Sequence, residues 1–312
     1  MRPLVPLFLL MTFPPGCLPA ERVDNVLAKL IPADTQALFG ARMEQLKTAP
    51  LYSKLVGQQK LPQLDSFAGE TGFDPRRDVR DLLLASSGRS NSTVLLARGT
   101  FHIAENKLDP KMFKKVLYRG YVLTITPKED AGFCIMDNTL AIAGPTSSMK
   151  AALDHYLSPT RDAGTALLDQ ARAVPQQFQV WSVSTGSADF LANSLPHEGN
   201  AANFGKIFRS MENTHFEADL SRGLNATAQG QCSTEADAKS LADAVRGLIG
   251  FGRLSVPDNQ PELLRLWDGL RVDQNQRTIT ITANISQDLI DKLVQFFQSS
   301  GAKATGSIRR PR

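Results

Sequence analysis

The sequence predicts an α+β protein built as two tandem related modules, each a mainly antiparallel sheet with helices packed on one face. Three observations carry that reading. Short segments alternate apolar and polar residues with period two, as Phe216, Ala218 and Leu220 do against Glu217 and Asp219. Other segments carry apolar stripes at helical spacing, as Ala238, Leu241, Ala242, Val245, Leu248 and Ile249 do. The order of elements in the first half is then replayed in the second.

Taken in order, Val23–Leu30 reads as a short helix that stops at Ile31-Pro32, and Gln36–Arg42 as a strand. Helical pieces follow at Glu44–Val56 and Gln63–Gly72, broken by Pro50 and Pro62. Val79–Ser86 and Thr93–Phe101 form a strand pair across the turn-rich Ser87–Ser92. Asp109-Pro110 opens an expected helix over Lys111–Tyr118, because proline suits a first helical position. Tyr121–Thr126, Gly132–Met136 and Thr139–Ala143 are strands, the last two joined at Asp137-Asn138, and Ser147–Tyr156 is a closing helix.

The second half repeats this order. Leu167–Val174 stops at Pro175 as the first helix stops at Pro32, and Gln179–Ser184 takes the place of Gln36–Arg42. A helical region reaches to Arg209. The most legible stretch comes next: strand His215–Leu220, the turn Ser221-Arg222-Gly223, and a second strand. In that strand Leu224, Ala226, Ala228, Gly230 and Cys232 face one way, and Asn225, Thr227, Gln229 and Gln231 face the other. Ser233 or Thr234 caps the helix that covers the hairpin, Thr234 with Asp237 approximating a capping box, and Gly250 is placed to close it. Leu270–Asp273 and Thr278–Ala283 pair across a turn at Asn275. Ser286 caps a last helix with Leu289, Ile290, Leu293, Val294 and Phe297 as its stripe. The expected organisation is residues 21–158 and 159–298 as the two modules.

Two terminal segments stand apart. Residues 1–20, MRPLVPLFLLMTFPPGCLPA, have one positive charge, an apolar run over Leu4–Phe13 and small residues up to Ala20, the layout of a signal peptide. Export to the periplasm or the medium is therefore expected. Gly16-Cys17 offers a lipid-anchored alternative, opposed by Pro14 and Pro15 where such a site takes an aliphatic and a small residue. Residues 299–312 hold Lys303, Arg309, Arg310 and Arg312 with no acidic residue, and read as a disordered basic tail able to touch an anionic surface. Without these four and Arg2, 30 basic residues of the 35 remain against 31 acidic ones, so the body is near neutral and nucleic acid is not an expected partner. No downstream run approaches the length of a membrane-spanning helix.

Candidate chemistry is sparse. Ser147-Ser148-Met149-Lys150 matches S-x-x-K at a helix start, a spacing that can pair a serine nucleophile with a lysine. No K-T-G or S-D-N accompanies it, and Ser300-Gly301-Ala302-Lys303 repeats it in the tail. His215 beside Glu217 could form an acid–base pair, although an exposed charged strand face explains both. His102, His155 and His197 have no partner at motif spacing, and the absence of CxxC argues against a metal. No nucleotide-binding motif or cofactor signature is found. Cys134 and Cys232, both on strands, could bridge in an exported chain or simply fill two cores. Trp181 and Trp267 suit core packing, with a stacking platform for a glycan as the alternative.

The segments IPADTQALFGARMEQL (Ile31–Leu46), LAIAGPTSSMKAALDHY (Leu140–Tyr156) and LLRLWDGLRV (Leu263–Val272) resemble a group of exported bacterial proteins with no assigned activity. The resemblance implies export and an α+β fold over nearly the whole mature chain. Together these readings favour an exported, non-catalytic protein that binds a ligand or an envelope partner. The alternative is a hydrolase using Ser147 and Lys150, or the His215–Glu217 face.

Overall fold

The computed structural model describes residues 23–54, 65, 68–69, 72–89, 91–102, 108–158, 165–186 and 211–295. The signal segment, the basic tail, most of Gln63–Gly72 and the region from 187 to 210 lie outside the described residues. Twelve strands form one continuous sheet: β1 (Ala37–Arg42), β2 (Val79–Ser86), β3 (Thr93–Gly99), β4 (Lys114–Tyr118), β5 (Tyr121–Thr126), β6 (Ala131–Asp137), β7 (Leu140–Pro145), β8 (Val180–Thr185), β9 (Met211–Asp219), β10 (Gly223–Cys232), β11 (Leu270–Asn275) and β12 (Thr278–Ser286). Their order is β11-β12-β10-β9-β8-β1-β2-β3-β7-β6-β5-β4, and the pairings are antiparallel. The expected separate sheets are thus joined, through β1 and β8, with Leu38 opposite Val183 and Gly40 opposite Trp181.

Helices cover both faces, which corrects the expectation of one covered face. On the upper face lie α1 (Asn25–Ala28), the later α5 (Thr146–Leu157) and α6 (Thr165–Ala173). They pack with Leu38, Leu83, Leu96, Leu123, Ile142 and Trp181 into the largest core. Asp24 fixes α1 twice: it accepts from the Val26 and Leu27 N–H groups at 2.8 and 3.0 Å, and from Arg98 Nε at 3.2 Å. On the lower face lie the short α2 (Met43–Thr48), α3 (Pro50–Tyr52) and α4 (Pro75–Asp78), then α7 (Glu235–Leu254), α8 (Pro261–Asp268) and helix α9 over 287–295. Leu241 and Ala242 of α7 bury against Met211, Cys232 and Ile279, and Leu289, Ile290 and Leu293 of α9 bury with Ile285.

The faces follow from strand parity. In β10, Ala228 and Gly230 lie opposite Ile281 and Ile279, beneath α7, while Thr227 and Gln229 lie opposite Thr282 and Thr280 on the other side. The upper face from β9 to β12 is therefore a polar ladder, and none of the hydrophobic clusters forms there among the described residues.

Two elements differ from expectation. Lys114–Tyr118 is strand β4, not helix. Asp109 supports only a single turn, accepting from the Met112 and Phe113 N–H groups at 3.0 Å each, and the chain then pairs with β5 across Arg119-Gly120. Those two residues have φ of 52° and 87°, the positive values that a two-residue hairpin turn demands. The helix capped by Thr234 does begin there, Asp237 N–H donating to Thr234 Oγ1 at 3.1 Å, but it runs through Gly250 to Leu254. Gly252 lies within this helix and leaves room for the Trp267 ring, which sits 2.4 Å from where its Cβ would be.

Candidate ligand-binding site

The lower face over the first half of the sheet carries an apolar cavity of about 470 Å³. The sheet's register explains why space is left there. Ala141 lies opposite Ala97, Ala97 opposite Leu82, and Leu82 opposite Ala41 across four adjacent strands. Ala143, two residues on from Ala141, lines the same cavity. Methyl groups at four of these positions leave a floor that larger side chains would fill. Phe39, Phe133, Ile135, Phe73 and Phe101 form walls, and Met43, Leu46 and Tyr52 of α2 and α3 overhang it. The Phe73 and Phe101 rings meet at 5.2 Å between centroids. Its volume falls within the roughly 300–1,000 Å³ typical of small-molecule sites.

The rim is braced by polar contacts rather than offered as chemistry. Arg76, the charged group among the described lining residues, is held by Asp74 and Asp65 at 2.9 Å each, which raises its already high pKa. The same hydrogen bond from Arg76 holds the Asp74 carboxyl below its usual range. Lys47 Nζ donates to the carbonyls of Arg77 and Val79 at 2.8 and 2.6 Å and so ties α2 to the start of β2; burial lowers its pKa. Burial raises that of Tyr52. A smaller apolar cavity of about 240 Å³ lies under α7, between Phe216, Ala228, Leu241 and Val245.

Ser147, Lys150, Glu217, Cys134 and Cys232, singled out from sequence, lie outside both cavities, and His215 borders the smaller one. Ser147 is exposed at the start of α5, and Lys150 Nζ sits 5.2 Å from the centroid of the Tyr118 ring. The Tyr118 hydroxyl donates to Asp154 at 2.8 Å, and that bond raises its pKa. His215 Nε2 and Glu217 Oε2 are 3.1 Å apart on the polar upper face, so that pair is formed. It stands five strands from β7, which precedes Ser147, on the order of 20 Å away. The two candidate sites are not brought together.

Cys134 and Cys232 are free and buried in separate clusters. Seven interstrand steps divide β6 from β10, a separation on the order of 30 Å, whereas a disulfide needs Cα atoms within about 7 Å. The possible bridge is therefore not made. Trp181 packs against Gly40, whose ideal Cβ would lie 2.1 Å from the indole Cε2, and is only 3% exposed. Both tryptophans are packing residues seated on glycines. Among the described residues no group of three or more His, Cys, Asp or Glu is placed to hold a metal.

Sequence reasoning did not single out Ala41, Ala97, Ala141 and Ala143. Their signal was present in Leu140-Ala141-Ile142-Ala143, where alanine repeats at period two. Its meaning depends on which residues the neighbouring strands set alongside.

No protein-family profile matches the chain, and no curated protein matches it. Solved structures do. TP0453, a Treponema protein, is similar in its crystal form III with a TM-score of 0.50 at 11% identity, over 86% of this chain and 97% of that one. In crystal form IV the TM-score is 0.50 at 10% identity, over 88% and 99% of the two chains. At such identities the likeness concerns the fold alone. No described helix is long and apolar enough to cross a membrane.

Proposed function

We propose that this protein is an exported, non-catalytic binding protein whose ligand is an apolar small molecule held in the alanine-floored cavity. The observation that carries the reading is the cavity itself: about 470 Å³ of space on the sheet, walled by carbon, with Arg76 at its rim already engaged by two carboxylates. Filling such a space with hydrocarbon removes apolar wall from water at about 25 cal/mol per Å². The layout of residues 1–20 supports export, with a mature chain starting near Glu21.

A duplicated origin fits the same chain, with modules at 21–158 and 159–298. Outward from the centre, the strands run β1-β2-β3-β7-β6 on one side and β8-β9-β10-β12-β11 on the other, the same order of succession. Two helices, α1 and α6, each ending before a proline, precede the two central strands and share one core.

The test is titration with the neutral probe N-phenyl-1-naphthylamine. Saturable binding by the parent chain, weakened at least tenfold in Ala141→Phe and in Ala143→Leu, supports the reading. Leu254→Gln, at the exposed end of α7, should bind as the parent does. Unchanged binding by folded Ala141→Phe and Ala143→Leu overturns the cavity as the site.

A further inference from the structure

We propose that the outer edge of β11 is the surface on which a second copy of this chain docks, strand to strand, about a two-fold axis at Val272. The inference stands apart from the ligand reading. β11 closes one end of the sheet, and among the described residues its strand neighbour is β12. That pairing fixes which backbone groups turn outward. Asn284 N–H donates to the Gly269 carbonyl at 2.9 Å, so Gly269, Arg271 and Asp273 direct their backbone groups to β12. Those of Leu270, Val272 and Gln274 therefore point away from it. The Val272 carbonyl agrees with this direction, since it accepts from Arg246 of α7 at 3.3 and 3.1 Å instead of from β12. A carbonyl oxygen has two lone pairs, so it can also take the Val272 N–H of a second copy.

Charge selects the register. Two identical strands that pair antiparallel about a two-fold axis, with these backbone directions, are centred on one residue. Centring on Arg271 sets that arginine against its own copy, and centring on Asp273 sets carboxylate against carboxylate, both unfavourable. Centring on Val272 sets Arg271 opposite Asp273 of the other copy, and the symmetry makes that pair twice. The same register lets Val272 exchange hydrogen bonds with its own copy, and Leu270 with Gln274. Arg271 and Asp273 are exposed, and among the described residues neither side chain has a hydrogen bond or an ion pair. The far end of the sheet offers no such match. There β4 holds Lys114 and Lys115 with no acidic residue, a pattern that keeps edge strands apart.

Opposed residues of a strand pair share a face, so the joined sheet keeps both polar ladders above and both copies of α7 below. On the lower face Val272, packed against the cluster under α7, comes to lie beside its own copy. The two alanine-floored cavities then open on the same side of one continuous sheet. A single pair of six-residue strands makes a small interface, so the dimer is weak and depends on concentration.

The test is sedimentation velocity on the purified chain from about 1 to about 300 µM, the range in which a weak pair assembles. The parent should pass from monomer towards dimer as concentration rises. Arg271→Asp makes both cross-strand pairs acidic and Asp273→Arg makes both basic, so each variant alone should self-associate at least tenfold more weakly. Both positions are exposed, and the melting temperatures should match the parent's. Mixed in equal amounts, the two variants should recover the parent's affinity, because each pair again joins opposite charges. A parent that stays monomeric throughout, or a dimer that both reversals leave intact, overturns β11 as the docking surface. Loss of the dimer in both variants with no recovery on mixing overturns the register centred on Val272 and the proposal with it.

Discussion

Gly40→Ala tests how the two halves of the sheet are joined. Gly40 is in β1 and faces Trp181 across the central β1–β8 pairing. An ideal Cβ there would stand 2.1, 2.2 and 2.5 Å from indole Cε2, Cζ2 and Nε1, inside the van der Waals limit for all three atoms. The ring cannot withdraw easily, because it is 3% exposed and belongs to the largest core. Overpacking of a tight core costs about 1–3 kcal/mol, and contacts this short place the change near the top of that range. Alanine recovers roughly 0.5–1 kcal/mol by replacing glycine inside a strand. The net expected loss is about 2 kcal/mol, measured by urea unfolding followed by circular dichroism. Trp181→Leu alone should be destabilising through the cavity it leaves, yet Gly40→Ala should cost little in that background. The double-mutant cycle should give a coupling of at least about 1 kcal/mol. If Gly40→Ala lies within 0.5 kcal/mol of the parent by this assay, roughly the scatter of neutral surface changes, the central contact is misplaced.

Other outcomes follow from the same structure. Leu241→Asp puts a carboxylate among Met211, Cys232 and Ile279 and should cost several kcal/mol, whereas Gln229→Asp, exposed on the opposite face, should cost less than about 1 kcal/mol; equal losses of Tm would show the face assignment to be wrong. Burial pushes the Cys134 thiol from 9.0 up to about 11, so its contribution to stability is complete below pH 9 and is lost as pH rises through that interval. Cys134→Ala should flatten this alkaline loss, and an unaltered pH profile would contradict it. Ser147→Ala and Lys150→Ala should each change stability by no more than about 1 kcal/mol, since one is exposed and the other contributes a cation–π contact. Neither parent nor variant should react with a fluorophosphonate, and labelling at Ser147 that requires Lys150 would revive the hydrolase.

Local signals were readable in the sequence, and relations between distant segments were not. Thr234 and Asp237 announce the start of α7, and the alternation of β9 and β10 sets their faces, because each depends on residues a few positions apart. The β1–β8 pairing joins segments more than 130 residues apart. The near-continuous apolar run Ala37-Leu38-Phe39-Gly40-Ala41 suits a strand covered on both faces, but nothing local identifies its partner. At Lys114–Tyr118, Pro110 suggested a helix, while Val116 and Tyr118 at period two and the positive φ of Arg119 and Gly120 committed the chain to a hairpin. Neither Ser147 nor His215 marked the cavity. It arises where Ala41, Ala97, Ala141 and Ala143, each unremarkable in its own strand, are set on one face. Only the cross-strand register makes them a floor.

Occupancy of that floor can be measured through the intermolecular nuclear Overhauser effects of a bound ligand, in protein carrying labelled alanine, isoleucine and leucine methyls and labelled phenylalanine rings. With N-phenyl-1-naphthylamine at saturation, cross-peaks are expected to Ala97, Ala141 and Ile135. A saturated complex with no cross-peak to these methyls, while the ligand broadens Leu248, Phe251 and Leu254 at the exposed end of α7, would contradict the cavity as the binding site.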